Sequence, residues 1–280
     1  MIGDWQPAEK EFRLSRKMLE VVLELGFPIT LNERSPMVVE DLDIISDISK
    51  KSFAAIMFSV SFVDSPKAKK IFEPKSPAVE LRLKAMAKFA AAGIMAGIAY
   101  MPILPFIADS DEDLELVVKN TRDYGGKFVL AGGLTLSGYQ RSRYLVTIAR
   151  YYPDLSAHYD KLYCGEYAPG AEYWTRIALK VRELCVKYGI LDRMPRPMFY
   201  ENLVSNKKVA ERLFLKVYEL ELEQALSQKI WAYRKAAWAV DELKDDVGQI
   251  YKKDGMAGLL ALPGVGKSIA AEIEKCLKED

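Results

Sequence analysis

Two neighbouring stretches hold the residues best placed for chemistry. In ITLNER, Thr30, Asn32 and Arg34 alternate with Ile29, Leu31 and Glu33; in AAIMFSVSF, Met57, Ser59 and Ser61 alternate with Phe58, Val60 and Phe62. Successive side chains of a strand point to opposite faces, so each stretch, folded as a strand, has one bulky face and one polar face. A plain core would place Val or Leu where these hydroxyl, amide and guanidinium groups stand. Turned toward one interior, the two polar faces line a binding pocket at the strands' C-terminal ends; the other reading is that they satisfy one another or sit at exposed strand ends. Cysteine and histidine chemistry is sparse. Cys164, Cys185 and Cys276 are too far apart for a C-x-x-C pattern, and His158 is the single histidine. Disulfide scaffolds, zinc modules and a self-contained iron–sulfur cluster are therefore excluded. Cys164 and Cys185 read as small apolar residues, with no second histidine to activate them, and His158 reads as a surface residue.

The elements that must position these groups alternate in type. Residues 8–25 place Phe12, Met18, Leu19, Val22 and Leu25 on one helical stripe, stopped by Gly26 and Pro28. A short strand over 29–32 follows, then a helix over 37–50 opened by Ser35-Pro36, and a strand over 54–62. The order repeats: Ser76-Pro77 opens a helix to Gly93, IMAGIAYM is a strand, SDEDLELVVKNTRDYG a helix and KFVLAG a strand. Strands alternating with helices predict a parallel sheet in an α/β domain. Gly125-Gly126 and Gly132-Gly133 flank the last strand as turn formers or as close-approach points for a cofactor. Tyr151, Tyr152, Tyr163, Tyr167 and Trp174 suit a base-stacking surface or, more simply, core packing.

Length and charge bound the rest. The 280 residues (31.6 kDa) suit about two domains of ~150 residues. With 40 Lys+Arg against 39 Asp+Glu, no global field draws the chain onto nucleic acid or a membrane, so any such contact is local. The first residues, MIGDWQPAEKEF, lack a secretory pattern, and no window of ~18 apolar residues is uninterrupted. The expectation is a cytoplasmic protein with no membrane partner. Periodicity changes at LDRMPRPMF, which predicts domains over 1–197 and 198–280, the second all-α with helical stretches near 205–226, 227–243, 245–253, 256–261 and 266–278.

Spaced motifs carry a resemblance. The run DWQPAEKEFRLSRKMLEVVLELGFPITLNERSPMVVEDLDII, then MFSVSF, then IFEPKSPAVELRL with Glu73-Pro74, Ser76 and Arg82-Leu83, then AAGIMAGIAYMPILP, resembles radical S-adenosylmethionine (SAM) proteins of the spore photoproduct lyase-like, DNA repair photolyase group. The resemblance extends to roughly residue 197. It implies a partial β/α barrel that binds SAM at the strand C-termini, beside a 4Fe-4S cluster held by a CxxxCxxC loop, and chemistry begun by reductive SAM cleavage. By position, Arg34 replaces the group's SAM-contacting lysine, and Ser59 or Ser61 matches its ribose- or carboxylate-binding serine. Arginine still pairs a carboxylate, and bidentately. Two departures stand out: Glu40 occupies a position usually held by arginine, and Trp5 replaces a tyrosine. The group's first strand and cluster cysteines would precede Met1. The expectation is thus a fragment or alternative-start product of a longer enzyme, a chain completed by a polypeptide supplying the missing strands, or a degenerate binding protein; the cluster belongs to the complete enzyme, and this chain alone is inactive.

The C-terminal segment GLLALPGVGKSIAAEI resembles a helix-hairpin-helix motif, and KIWAYRKAAWAVDELKDDVGQIYKKDG before it resembles the N-terminal domain of family X DNA polymerases. The resemblance implies a phosphate cradle over Leu262, Gly264, Val265, Gly266 and Lys267, in which glycines permit φ > 0, backbone N–H groups approach the phosphate, and Lys267 adds a charge. The position of the polymerase lyase lysine holds Glu272, which cannot form a Schiff base, so no lyase activity is expected there. GVGKS is no Walker A loop, since Ala261 stands at the first glycine position after a helix. Residues 200–280 hold 13 basic and 14 acidic side chains, which predicts weak, salt-sensitive DNA binding. The leading expectation is a portion of a radical SAM enzyme acting on DNA and docking through the hairpin; the alternative is a non-catalytic DNA-binding or scaffold protein.

Overall fold

The computed structural model describes residues 5–197 and 203–279. The chain divides into two compact units, Met1–Pro195 and Arg196–Asp280. Asp4 of the D-W-Q-P motif and the start of the expected second domain, residues 198–202, lie outside the described residues.

The first unit is α/β. Its elements run α1 (Glu9–Phe12), α2 (Leu14–Leu25), β1 (Ile29–Glu33), a 3-10 turn (Pro36–Asp41), α3 (Leu42–Lys51), β2 (Ala54–Val60), α4 (Pro66–Phe72), α5 (Val79–Ala91), β3 (Met95–Ile103), α6 (Asp111–Asp123), β4 (Phe128–Gly133), α7 (Gly138–Tyr151), a 3-10 turn (Pro153–Leu155), α8 (Ser156–Tyr163) and α9 (Ala171–Tyr188). The strands form one four-stranded parallel sheet in the order β1-β2-β3-β4. Each crossover contains a helix, as parallel neighbours require. The N-caps are readable in the residues: Ser35, Ser65 and Ser110 each accept a backbone N–H of the turn they open, the first two ahead of a proline.

Register fixes which faces agree. Ile56 pairs with Ala96 and Leu31, and Phe58 with Ile98 and Glu33, so Leu31, Ile56, Phe58, Val60, Ile98 and Tyr100 share the face packed under the helices. The opposite face carries Thr30 and Asn32, both exposed, half-buried Met57 and Met101, and buried Ser59. Small residues let neighbouring strands approach closely there. A Cβ on Gly97 would lie 2.5 Å from the Phe128 carbonyl oxygen and 2.8 Å from its ring, and one on Gly132 would lie 2.7 Å from Met101 Cγ. A second apolar cluster, with Phe62, Leu104, Leu134, Ile148, Tyr159 and Tyr163, gathers residues that follow the strands beneath α7 and α8.

Three sequence expectations are corrected. The helix over 8–25 is interrupted at Arg13, whose φ of 50° is left-handed, giving the short α1 and then α2. Its stripe is also not the buried one: Phe12, Met18 and Leu25 are exposed (Met18 70%), while Leu19 is buried and Val22 packs beside it. The reason is position, since β1 is an edge strand and α2 packs chiefly against α3 at that edge, along one narrow side. Finally, the strand over 54–62 ends at Val60, so Ser61 and Phe62 belong to the loop, and Phe62 joins the second cluster.

The second unit consists of α10 (Val204–Leu222), α11 (Ser227–Asp241), α12 (Val247–Leu260) and α13 (Lys267–Glu279) around Val209, Leu213, Val240, Leu259, Val265, Ile269 and Ile273. Gly255 (φ 59°, ψ −144°) breaks α12, which separates the two helical stretches expected there. Buried Asn206 ties α10 to the α11–α12 connection, donating to the Leu243 and Asp245 carbonyls and accepting from Val247 N–H at 2.7 Å.

Candidate functional site

At the C-terminal ends of β1 and β2 the polar groups converge on one carboxylate. Glu73, buried just after α4, accepts from Arg34 Nη1 at 2.6 Å and from Arg82 Nη2 at 2.5 Å. Arg82 sits wholly buried on α5, and its Nη1 donates to the Ser59 carbonyl at 2.7 Å. Lys69 holds the turn after α4 closed by donating to the Glu73 and Ser76 carbonyls. Two guanidiniums share the Glu73 carboxylate, and the buried Glu33 carboxylate stands beside them, accepting from the Arg34 and Ser35 N–H groups. Desolvation lowers the Arg34 pKa, opposed by the attraction of Glu73. Arg34 Nε is buried without a hydrogen-bond partner, as is Arg82 Nε, and such groups are costly to leave unmet.

The residues expected to bind SAM are thus brought together, though through intermediaries. Arg34 reaches Ser59 by way of Glu73 and Arg82. The Ser59 hydroxyl donates to Asn32 Oδ1 at 2.8 Å across β1 and β2, and the Ser61 hydroxyl lies 3.5 Å from the Met101 carbonyl. Other motif residues have structural employment. Trp5 Nε1 donates to Asp41 at 2.8 Å, and Arg16 on α2 bridges Asp41 and Asp43, pinning the W-Q-P and E-D-L-D segments to each other. The Arg16 guanidinium holds the Asp43 carboxyl well below the usual range. Glu40, at the reversed-charge position, borders that cluster and is exposed.

Cysteine geometry does not suit a cluster. Cys164 is exposed, Cys185 is buried with its thiol pushed up to about 12 by desolvation, and Cys276 belongs to the second unit. No group of three or more His, Cys, Asp or Glu able to hold a metal occurs among the described residues. These residues do not fit an iron–sulfur cluster. No helix among them is long and apolar enough to cross a membrane.

In the second unit, Gly264 has φ 75° and closes the turn between α12 and α13, within which Val265 N–H donates to the Leu262 carbonyl at 3.1 Å. Val265 is buried and Leu262 packs beside it, so their side chains anchor the turn and do not face a ligand. Gly266 does not have positive φ, contrary to the expectation for both glycines, yet a Cβ there would meet nothing within 4 Å. Lys267 is exposed at the first position of α13. Glu272 pairs with Arg212 Nε at 2.8 Å. Sequence reasoning missed a neighbour of this turn: a 450 Å³ pocket lined by Ser227, Gln228, Trp231, Ala232, Lys235 and Gly264, with Trp231 46% exposed. An apolar residue on the polar side of an amphipathic helix was its readable signal.

The post-β3 loop was also missed. Phe106 has φ 63°, a conformation unusual for a bulky side chain and costing on the order of 1–2 kcal/mol. Its N–H donates to Asp109 Oδ1 at 2.7 Å, Tyr173 donates to Asp109 Oδ2 at 2.7 Å, and Tyr159 donates to the Pro105 carbonyl at 2.7 Å. Tyr100 also donates to the Ala108 carbonyl. Of the aromatics considered for base stacking, Tyr163 is buried, Tyr152 stacks on Phe72, Trp174 packs on the first core, and Tyr151 and Tyr167 are exposed.

No protein-family model matches the chain, and no solved structure matches it. Uncharacterized proteins of Mycobacterium bovis and Mycobacterium tuberculosis are each 26% identical over 195 residues, covering 69% of this chain and 57% of theirs. An uncharacterized protein of Acidianus two-tailed virus is 32% identical over 114 residues, 40% of this chain and 37% of its own length. The chain therefore spans just over half the length of the mycobacterial relatives.

Proposed function

We propose that this chain is the SAM-binding and DNA-docking portion of a radical SAM protein of the photoproduct lyase-like group, with its sheet forming part of a β/α barrel and α12–α13 forming a helix-hairpin-helix. The observation that carries the reading is Arg34 at the strand C-termini, part of its side chain in solvent, its Nη1 on Glu73 and its Nε buried and unpartnered. That is a donor set suited to a carboxylate, which SAM possesses. Ser59, Asn32 and Ser61 supply hydroxyl and amide groups of the kind a ribose or amino acid needs. Bound SAM supplies an activated carbon–sulfur bond. The chain's own residues hold its carboxylate through Arg34 and keep Arg34 oriented through Glu73. The iron–sulfur cluster, in this reading, is held by residues outside these 280.

The docking part rests on the Gly264 turn, the exposed Lys267 and the Trp231–Lys235 pocket beside it, which offer backbone N–H groups, charge and a stacking surface. Calorimetric titration with SAM tests the enzyme reading: binding that is lost in Ser59→Leu/Ser61→Leu supports it, and no binding by the native chain sinks it. The second reading, a DNA-binding scaffold with a barrel remnant, is favoured by the internal pairing of Ser59 with Asn32 and predicts DNA binding without SAM binding.

A further inference from the structure

We propose that the cleft between the post-β3 loop and α8–α9 binds a nucleotide unit, its base stacked on Phe106 and its phosphate near Lys161 and Arg176. The cleft encloses about 660 Å³ and is lined by Phe106, His158, Lys161, Leu162, Tyr173 and Arg176, with Gly170 and Glu172 at the start of α9. It is distinct from the Arg34–Glu73–Arg82 cluster: the two share no residue.

The case begins with Phe106. A phenylalanine held in the left-handed region, 41% exposed, has neither the conformational nor the burial gain that usually fixes an aromatic residue. Yet the loop is firmly determined. Asp109 fixes the Phe106 N–H, and the hydroxyls of Tyr159, Tyr100 and Tyr173 fix Pro105, Ala108 and Asp109. Strain that the surroundings enforce clusters where a side chain must be presented to a ligand. The ring is already in T-shaped contact with His158 (centroids 5.5 Å apart) and Tyr159 (5.6 Å), which sets its plane. The exposed part can take a flat ring, and every base has a π-face to offer.

The charges around it select the rest of the ligand. Lys161 is exposed, and Arg176, stacked over Tyr173, has a side chain 52% exposed that lies 3.6 Å from the buried Asp109 carboxylate. Glu172 at the rim is the one exposed acid of the lining, a hydrogen-bond acceptor for an exocyclic amine. Aromatic ring, cations and one acceptor together match a nucleoside phosphate, free or within a single strand.

The test uses the full chain and 2-aminopurine, whose fluorescence is quenched when it stacks, presented as the free 5′-monophosphate and within a short thymidine strand. To remove the hairpin contribution, the measurement is repeated in Gly264→Val/Gly266→Val, so that failure of the docking reading leaves this one intact. The expected result is saturable quenching with at least one probe. Phe106→Gly, in which glycine adopts φ 63° freely and the loop is preserved, should weaken binding about 5- to 150-fold, the value of one stacked base. Phe106→Tyr should bind as the native chain does, and Lys161→Gln should weaken binding and reduce its salt dependence. Quenching by the monophosphate identifies a free nucleotide, and quenching by the strand alone identifies a nucleic acid; either supports the site. No quenching with either probe, or equal quenching in Phe106→Gly with an unchanged melting temperature, overturns it.

Discussion

Arg82 and Glu73 form a fully buried ion pair, with Nη2 2.5 Å from Oε2, and it is the Glu73 carboxylate that Arg34 shares. Arg82 spans from this pair to the Ser59 and Pro77 carbonyls, so a single guanidinium joins α5, the loop before it and the end of β2. Breaking a buried pair from one side strands the other charge. Glu73→Gln, which leaves two guanidiniums without a carboxylate, should cost on the order of 3–5 kcal/mol. Urea denaturation followed by far-ultraviolet circular dichroism reads it, and a loss below about 1 kcal/mol would refute the account.

The two arginines are not equivalent. Arg34 keeps part of its side chain in solvent, and removing it leaves the buried Arg82–Glu73 pair intact. Arg34→Met should therefore change stability by less than about 1 kcal/mol, whereas Arg82→Met should cost several, because it also unpairs the Ser59 and Pro77 carbonyls. Parallel melts of the two variants decide it; equal losses would show that Arg34 is structural and weaken the case for its role with a ligand.

The pairing of β3 with β4 rests on a close approach. Gly97 lies under Phe128, and a methyl there would meet a backbone oxygen that cannot swing away. Gly97→Ala should destabilise the first unit by about 1–3 kcal/mol. A melting temperature equal to that of the native chain would mean that β3 and β4 separate at little cost.

The parallel sheet was legible because strand formers and turn residues agreed over residues 29–133 and each crossover had its own helix, although Ser76-Pro77 does not open α5, which starts after Ala78 with no side-chain cap. The outward side of α2 was not legible, because Met18 and Leu19 stand about 100° apart within one broad apolar arc, and periodicity does not say how much of that arc α3 covers. The polar pocket was half legible. Alternation placed Arg34 and Ser59, but Glu73 and Arg82 lie 39 and 48 residues beyond Arg34, and only folding brings them to it. Phe106 was invisible for a different reason: the local Asp109 that accepts its N–H is itself held by Tyr173, and Tyr159 holds Pro105, so the loop that sets its left-handed φ is completed by residues distant in sequence.

Three buried tyrosines and two half-buried ones give the first unit an alkaline limit. Desolvation raises the pKa of Tyr100, Tyr144, Tyr159, Tyr163 and Tyr173, with Asp109 adding to the shift at Tyr173. Their folded values lie above the unfolded value of 10.0, so the stability linked to their neutral forms is complete below pH 10 and declines as pH rises beyond it, when the unfolded chain ionises first. Absorbance titration at about 295 nm should show the exposed tyrosines ionising near pH 10 and a later step coincident with loss of circular dichroism. A single step near pH 10 with the fold retained would contradict this burial.

Gly264 and Gly266 separate stability from binding. Gly264 has φ 75°, where a Cβ is strained even though its nearest neighbours are 3.7 Å away, so Gly264→Ala should cost about 1–2 kcal/mol in the second unit. Gly266 has ordinary φ, and its Cβ would project into open space, so Gly266→Ala should leave stability within about 0.5 kcal/mol of the native chain. That same open space is where a phosphate must come close to the backbone, and a methyl placed there keeps it away. The expected signature is therefore a native melting curve with weakened DNA affinity by fluorescence anisotropy at low salt. If Gly266→Ala binds duplex DNA as the native chain does, phosphate does not approach this turn, and the exposed Trp231 and Lys235 become the groups that dock the second unit.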